Sequence, residues 1–244
     1  MHVNPAIKDR TSSTSPAGQC RGAWLALLAH GANLLQTAAP LRGFDLYLVG
    51  FHCAKDAPDC QVEAHHFCRV VNDDLLQCVL FDGNTRQANL IGVEYIVSGR
   101  LFGTVPAAER TRWHPHNYEV LSGQLAAPGL ARPAERALLS RLMNSYGKAW
   151  LTWRTHGPGS GSGQQLPFGD PALMWSFNRD GECDEAMHAE RDQAMELDTA
   201  ATKADRQALL PLARPQYGVD DMKEDFPGAT SVPGVVDTGH EIRS

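Results

Sequence analysis

Short segments of high β-propensity, joined by connections too short for a crossover helix, constrain the fold of this 244-residue chain most strongly. Because parallel strands need a crossover of about a dozen residues, the short connections favour antiparallel pairing. The pattern therefore predicts a single-domain α+β fold with a mostly antiparallel β-sheet and flanking helices. The predicted strands are residues 44–52, 76–81, 89–97, 116–124, 149–154 and 172–177.

Apolar residues at helical spacing predict helices on either side of these strands. The expected helices are residues 24–35, 133–146 and an acidic surface helix within 181–210, with a flexible glycine-rich linker at 157–163. Polar, patternless ends predict a disordered segment at 1–21, a folded domain at 22–218 and a disordered tail at 219–244.

Charge and apolar content exclude several classes of protein. A net charge of −6 and a pI near 5.9 argue against a nucleic-acid partner, since such a partner attracts basic surfaces. No apolar run approaches the roughly 18 residues that a transmembrane helix needs. Six cysteines without a CxxC pair predict reduced thiols in the cytoplasm, although a Cys68–Cys78 bridge is geometrically possible.

The best chemical signal is a pair of histidine clusters, at residues 63–68 (EAHHFC) and 113–119 (WHPHNYE). Alternate residues of a strand share a face, so His114 and His116 would point the same way, and His65 and His66 would not. Imidazoles and carboxylates from two segments fit zinc, iron or manganese with an open coordination position.

One hypothesis for the function is therefore a metal-dependent enzyme or a metal-binding protein that holds a divalent transition metal at these clusters. The candidate ligands are His65, His66, His114, His116, Glu63 and Glu119, and the candidate supporting residues behind them are His52, Glu94 and Cys68. Two other interpretations stay open: the histidines hold loops together by hydrogen bonds, or Cys68 and His66 form a thiolate–imidazole pair. No phosphate-binding loop or nucleophile elbow is present, so no catalytic residue is predicted.

Several phrases in this order resemble the oil body-associated protein family, also called the DUF1264 family, and point to a non-plant member. They are residues 31–36 (GANLLQ), 50–52 (GFH), 61–68 (QVEAHHFC), 90–97 (LIGVEYIV), 101–102 (LF), 113–119 (WHPHNYE), 146–148 (YGK), 166–169 (LPFG), 172–177 (ALMWSF) and 214–218 (RPQYG). The resemblance implies association with lipid bodies but supplies no reaction.

The partners that follow from this resemblance are a lipid-body surface or a small-molecule ligand. The chain has no long apolar hairpin for insertion into a triglyceride core, so we expect a cytoplasmic protein that is peripheral to lipid droplets. The glycine-rich loop at 155–163 and the acidic insertion at 182–205 depart from the plant pattern, away from the histidine clusters.

Overall fold

A computed structural model describes residues 7–36, 39–156 and 163–239. The strands are β1 (Leu46–Ala54), β2 (Ala57–Asn72), β3 (Leu75–Phe81), β4 (Leu90–Val97), β5 (His114–Pro115), β6 (Tyr146–Leu151) and β7 (Ala172–Ser176). The α-helices are α1 (Ala23–Leu35), α2 (Gly99–Phe102), α3 (Ala107–Arg110), α4 (Asn117–Leu121), α5 (Arg132–Leu142), α6 (Glu185–Met195) and α7 (Thr199–Arg206). Three 3₁₀-helices cover Ala39–Leu41, Gln207–Leu212 and Lys223–Asp225.

Six antiparallel strands close into a barrel. The sheet runs β4-β3-β2-β1-β7-β6, and a further pairing of β4 with β6 joins its two ends. Two-residue turns connect β1 to β2 and β2 to β3, as tight hairpins require. The short β5 pairs with the first residues of β6. The predicted single-domain, mostly antiparallel α+β fold is confirmed, and its closure into a barrel is more specific than the sequence pattern indicated.

Side chains alternate between the inside and the outside of this barrel. In register, His66 of β2 lies opposite Leu48 of β1 and Leu80 of β3, and all three are buried. Cys78 lies opposite Glu94 of β4 on the same inner face. Because the period of a strand is two residues, His65 is directed to the outer face. The prediction that His65 and His66 point in opposite directions is therefore confirmed.

The sequence analysis left one strand unpredicted and predicted the wrong element in one other place. Residues 57–72 form the longest strand, although its mixture of charged and apolar residues gave no clear alternation. Residues 116–124 contain the helix α4 rather than a strand, and the side chain of Gln216 accepts a hydrogen bond from the backbone of Asn117 at its start. Sequence propensity could not reveal that contact because the two residues are distant in the chain.

The acidic segment 181–210 is also not one surface helix. It forms α6, α7 and the start of a 3₁₀-helix. Its arginines Arg191 and Arg206 are 0% and 3% exposed and donate to backbone carbonyls of the segment around Gln124 and Leu125. The helices thus pack onto the body of the protein through buried cations in addition to apolar side chains such as Met195 and Leu209.

The structure of the described terminal segments differs from the expected disorder. Arg10 pairs with Glu63, and the carbonyl of Thr14 accepts a hydrogen bond of 2.9 Å from Asn89. In the tail, Met222 and Val235 are part of the main apolar core. Polar contacts hold the N-terminal segment, and apolar side chains buried in the core hold the tail. Residues 1–6 and 240–244, and residues 157–162 of the predicted linker, lie outside the described residues.

Cys68 and Cys78 form a disulfide, so the expectation of reduced cysteines is wrong for this pair. The two residues face each other across β2 and β3, with their Cα atoms 4.0 Å apart. A spacing of ten residues permits this bridge, but only the register of the hairpin places both thiols directly opposite on the inner face. Cys20, Cys53, Cys60 and Cys183 are free thiols.

Removal of this disulfide should destabilise the protein. The double variant Cys68→Ala/Cys78→Ala is expected to lose roughly 2–3 kcal/mol of unfolding free energy, because the bridge restricts a short loop of the unfolded chain. Urea unfolding in the absence of reductant measures this loss, with Cys20→Ala, an exposed thiol, as the control. Equal stability of the wild-type protein with and without a dithiol reductant would contradict a stabilising bridge.

Within the described part of the chain, no helix combines the length and the apolar character needed to cross a membrane.

Candidate metal centre

Six histidine and glutamate side chains meet inside the barrel, and each of these residues is at most 3% exposed. They are His52, His66, Glu94, His114, His116 and Glu119. Polar groups of this kind are rarely found so completely buried unless they are paired or hold an ion.

The strands of the barrel and one short helix position these six groups. His52, His66 and Glu94 lie on β1, β2 and β4. His114 comes from β5, which pairs with the start of β6, while His116 immediately precedes α4 and Glu119 lies in its first turn. The site therefore combines rigid strand positions with the tight turn from β5 into α4.

Glu94 is at the centre of the cluster. Its Oε2 lies 2.9 Å from Nε2 of His66. Its Oε1 lies 3.1 Å from Nε2 of His114 and 3.6 Å from Nε2 of His116. One carboxylate is thus surrounded by three imidazoles from two segments of the chain, β2 and residues 114–116.

Glu119 occupies the other side of the cluster. Its Oε1 is 3.5 Å from Nε2 of His52, and its Oε2 is 3.7 Å from Nε2 of His116. In each of three overlapping triads, one ligand-type atom per residue lies within 4.8 Å of the other two. These triads are His52–His66–Glu94, His52–His114–Glu119 and Glu94–His114–His116.

Nδ1 of His66 and Nδ1 of His116 each make a hydrogen bond on the side of the ring away from Glu94, and Nε2 of each ring faces Glu94. Nδ1 of His66 lies 3.0 Å from the carbonyl oxygen of Ala64, which can only accept, so this nitrogen carries a proton. Nδ1 of His116 lies 2.7 Å from Oγ of Ser145, whose own proton goes to the carbonyl of Leu142. When these imidazoles are neutral, their Nε2 atoms face the carboxylate with lone pairs, and when they are protonated, they donate to it. A cation between them would satisfy all of these groups, and histidine ligands commonly have such a second hydrogen bond.

Several atoms of the cluster also lack any hydrogen-bond partner. They are both ring nitrogens of His52, both ring nitrogens of His114, Oε1 of Glu94 and Oε1 of Glu119. Nε2 of His114 and Oε1 of Glu94 are close but are not aligned for a hydrogen bond. A buried polar group without a partner costs about 1–3 kcal/mol, so six such atoms in one place point to a common ligand.

Gly147 has no side chain, and this leaves room for Oε1 of Glu94 and Nε2 of His114 to lie close together. A Cβ atom at this position would overlap Oε1 of Glu94 and Nε2 of His114 and would lie 2.7 Å from Cε1 of His114. The glycine lies on β6 opposite His114. Its missing side chain is therefore part of the site.

The surroundings of Glu119 and Glu94 shift the pKa values of the two carboxyl groups in opposite directions. Desolvation, together with the nearby charge of Glu94, holds the pKa of Glu119 well above its usual value. Burial alone would also raise the pKa of Glu94, but the adjoining imidazoles of His114, His116 and His66 outweigh it and hold this pKa well below its usual value. Desolvation lowers the pKa of His52 and of His116.

Glu63 and His65 form a separate group on the outer face of β2. Nε2 of His65 lies 2.9 Å from Oε1 of Glu63, and Nδ1 lies 2.7 Å from the hydroxyl of Tyr47. Arg10 from the N-terminal segment donates two hydrogen bonds to Oε2 of Glu63. Both ring nitrogens of His65 are therefore engaged, and this group is a saturated polar network.

The structure brings together four of the six candidate ligands, namely His66, His114, His116 and Glu119. It does not bring Glu63 or His65 to them. His52 and Glu94, predicted as supporting residues, lie within the cluster itself, whereas Cys68 is held in the disulfide with Cys78. Sequence reasoning missed Gly147, because nothing in a glycine between a tyrosine and a lysine indicates that a buried site needs its missing side chain.

The fold and the site define an α+β protein with a closed antiparallel barrel around a buried histidine–carboxylate cluster. The family model described as a protein of unknown function (DUF1264) matches residues 38–210, and curated proteins of the same kind match across most of the chain. The chain belongs to this family, that of the oil body-associated proteins.

Its relatives include three plant proteins. It is 32% identical over 209 residues to oil body-associated protein 1B of Arabidopsis thaliana, which covers 86% of this chain and 83% of the relative. It is 41% identical over 157 residues to oil body-associated protein 1A of Zea mays, or 64% of each chain. Oil body-associated protein 2A of Arabidopsis thaliana is 31% identical over 201 residues, covering 82% of this chain and 79% of the relative. No solved structure matches significantly.

Proposed function

We propose that the barrel of this protein holds a divalent transition metal. The observation that carries this proposal is the convergence of four imidazoles and two carboxylates, with six of their atoms unpartnered, in a fully buried position. Glu94, which belongs to two of the three triads, would hold the ion together with the histidines of those triads, His52, His66, His114 and His116, and Glu119 would complete its surroundings.

The donor atoms restrict which metal fits. All are imidazole nitrogens or carboxylate oxygens, and the inward cysteines Cys68 and Cys78 are joined in a disulfide and offer no thiolate. Such nitrogen–oxygen sets suit zinc, iron or manganese. A bound ion of this kind supplies Lewis-acid character, and the chain contributes the enclosure that excludes water from it.

Two adjacent histidines offer a matched test. The variant His66→Asn should lose the metal, since it removes a ligand of the cluster, whereas His65→Asn should retain it because His65 faces the outer network. Elemental analysis of protein purified without a histidine tag should give about one ion per chain for the wild-type protein and for His65→Asn.

Folding of both variants is checked by circular dichroism, so that a lost metal is not mistaken for a lost fold. Metal-free wild-type protein that also fails to take up zinc, iron or manganese on titration would refute the metal centre. Equal metal content in the two variants would exclude His66 as a ligand.

We also propose peripheral association with the surface of lipid bodies as a second function. Membership of the family supports it, because the curated relatives are named for association with oil bodies. A specific feature of this chain favours it as well: six large apolar side chains of α1 are exposed to solvent.

Flotation tests this second function. We expect the full chain to rise with triacylglycerol droplets coated with phosphatidylcholine during density centrifugation. A maltose-binding or other unrelated soluble protein of similar charge is the control. Wild-type protein that stays wholly in the aqueous fraction would exclude the association for this chain.

A further inference from the structure

Helix α1 has no buried residue along its 13 positions. Its large apolar side chains are instead well exposed, from 49% for Leu28 to 89% for Leu35. An isolated helix of this length is marginal in water, since its stability normally comes from packing an apolar face. Its exposed apolar surface therefore requires a partner that the described chain does not provide.

The apolar side chains cover a broad face of α1. At 3.6 residues per turn they span an arc of roughly 180° around the helix axis. They are Trp24, Leu25, Leu27, Leu28, Leu34 and Leu35, while Ala26, Ala29, His30 and Asn33 occupy the other side. An arc this wide exceeds both the narrow seam of a two-helix coiled coil and the stripe of about 100° that packs on a protein core. A second copy of α1 would leave much of it in water.

The absence of charged residues from α1 further restricts the kind of partner that the helix can bind. Residues 23–36 contain no aspartate, glutamate, lysine or arginine. The helix therefore offers nothing to a charged protein surface or to an anionic headgroup, and it is matched to an uncharged apolar phase. A tryptophan at its first turn suits the boundary between such a phase and water. At about 1.5 Å per residue the helix is roughly 20 Å long, too short to span a bilayer and suited to lie in the plane of a surface.

We infer that α1 is the element through which this protein docks on the surface of a neutral-lipid droplet, with the arc of Trp24 and the leucines immersed among the acyl chains. This inference rests on the proposed lipid-body association and assigns that association to one helix. The barrel and its metal centre take no part in it.

Two double variants with equal added charge test the assignment in the full chain. Leu27→Glu/Leu28→Glu places two carboxylates in the apolar arc, and Ala26→Glu/Ala29→Glu places two on the opposite side. The probe is triolein droplets coated with phosphatidylcholine. We expect the leucine variant to bind at least ten-fold more weakly than the wild-type protein and the alanine variant to bind within about two-fold of it. Because α1 has no buried residue, the thermal transition of the barrel should be unchanged in both variants.

The outcomes separate the helix from the association itself. If the wild-type protein and the leucine variant float equally, α1 is not the docking element although the association stands. If the wild-type protein does not float, the association and the assignment to α1 both fail. Binding of the wild-type protein that disappears in high salt would also overturn the assignment, since an uncharged helix predicts binding that is insensitive to salt. Equal loss in both double variants would show a general effect of charge and would overturn it too.

Discussion

Replacing Gly147 by alanine should strongly weaken the proposed binding of a metal in the barrel. The new methyl group would occupy the space where Oε1 of Glu94 and Nε2 of His114 converge, and it would force both side chains away from the centre. Substitution of residues that only support the ligands by hydrogen bonds already lowers metal affinity by about 10–100-fold. Direct displacement of two ligands should therefore lower the affinity by roughly 100-fold or more. Isothermal titration of the metal-free variant with zinc measures this loss.

A second barrel glycine provides the control for this substitution. Gly50 lies on β1, two residues before His52, and a Cβ atom there would meet only the tip of Leu125 at 3.2 Å. Gly50→Ala should therefore fold with a small adjustment of that leucine and keep its affinity for the metal. If Gly147→Ala binds zinc as tightly as Gly50→Ala does, the metal does not lie between Glu94 and His114.

Replacing Arg191 by methionine should strongly destabilise the protein. The guanidinium is fully buried, stacks over Phe51 at 4.6 Å and donates hydrogen bonds of 2.6 Å to the carbonyl of Gln124 and to the hydroxyl of Thr199. It also pairs with Asp192 at 2.8 Å. Methionine keeps the apolar stem of the side chain but removes the donor to the carbonyl of Gln124 and to Thr199, and it removes the cation that pairs with Asp192.

The expected cost is roughly 3–5 kcal/mol, as for the removal of one partner from other buried ion pairs. At roughly 2–4 °C per kcal/mol for a protein of this size, the melting temperature should fall by about 6–20 °C. Differential scanning calorimetry measures the change, and Glu190→Gln on the exposed side of the same helix should shift it by less than about 2 °C. Similar melting temperatures for the two variants would show that α6 is not anchored by Arg191.

The fold could be predicted from the sequence only in outline. Strands β1, β3, β4 and β7 were recognised because each is rich in β-branched, aromatic or other apolar residues bounded by turn signals. β2 was missed because its two faces contact different surroundings. Its inner side chains line the barrel interior, while Glu63 and His65 on its outer face bind Arg10 and Tyr47. Such a strand shows no simple alternation of apolar and polar residues.

The types of residue in the candidate site could be predicted from the sequence, but the exact set of residues that form it could not. Clustering of histidines identified His66, His114 and His116, and the two-residue period of strands correctly separated His65 from His66. Glu94 gave a weaker signal, as a carboxylate within an apolar strand that requires a buried partner. Its central place depends on the register between β3, β4 and β6, which no local pattern encodes.

The family, the antiparallel α+β class and the presence of a histidine-rich site follow from local composition and from spacing along the chain. The closure of the sheet, the pairing of Cys68 with Cys78 and the space that Gly147 gives to the site follow from the three-dimensional arrangement of the strands. The physical reason is that closure and register bring together residues from distant segments, so that His52 of β1 and Glu119 of α4 become neighbours across a buried interior.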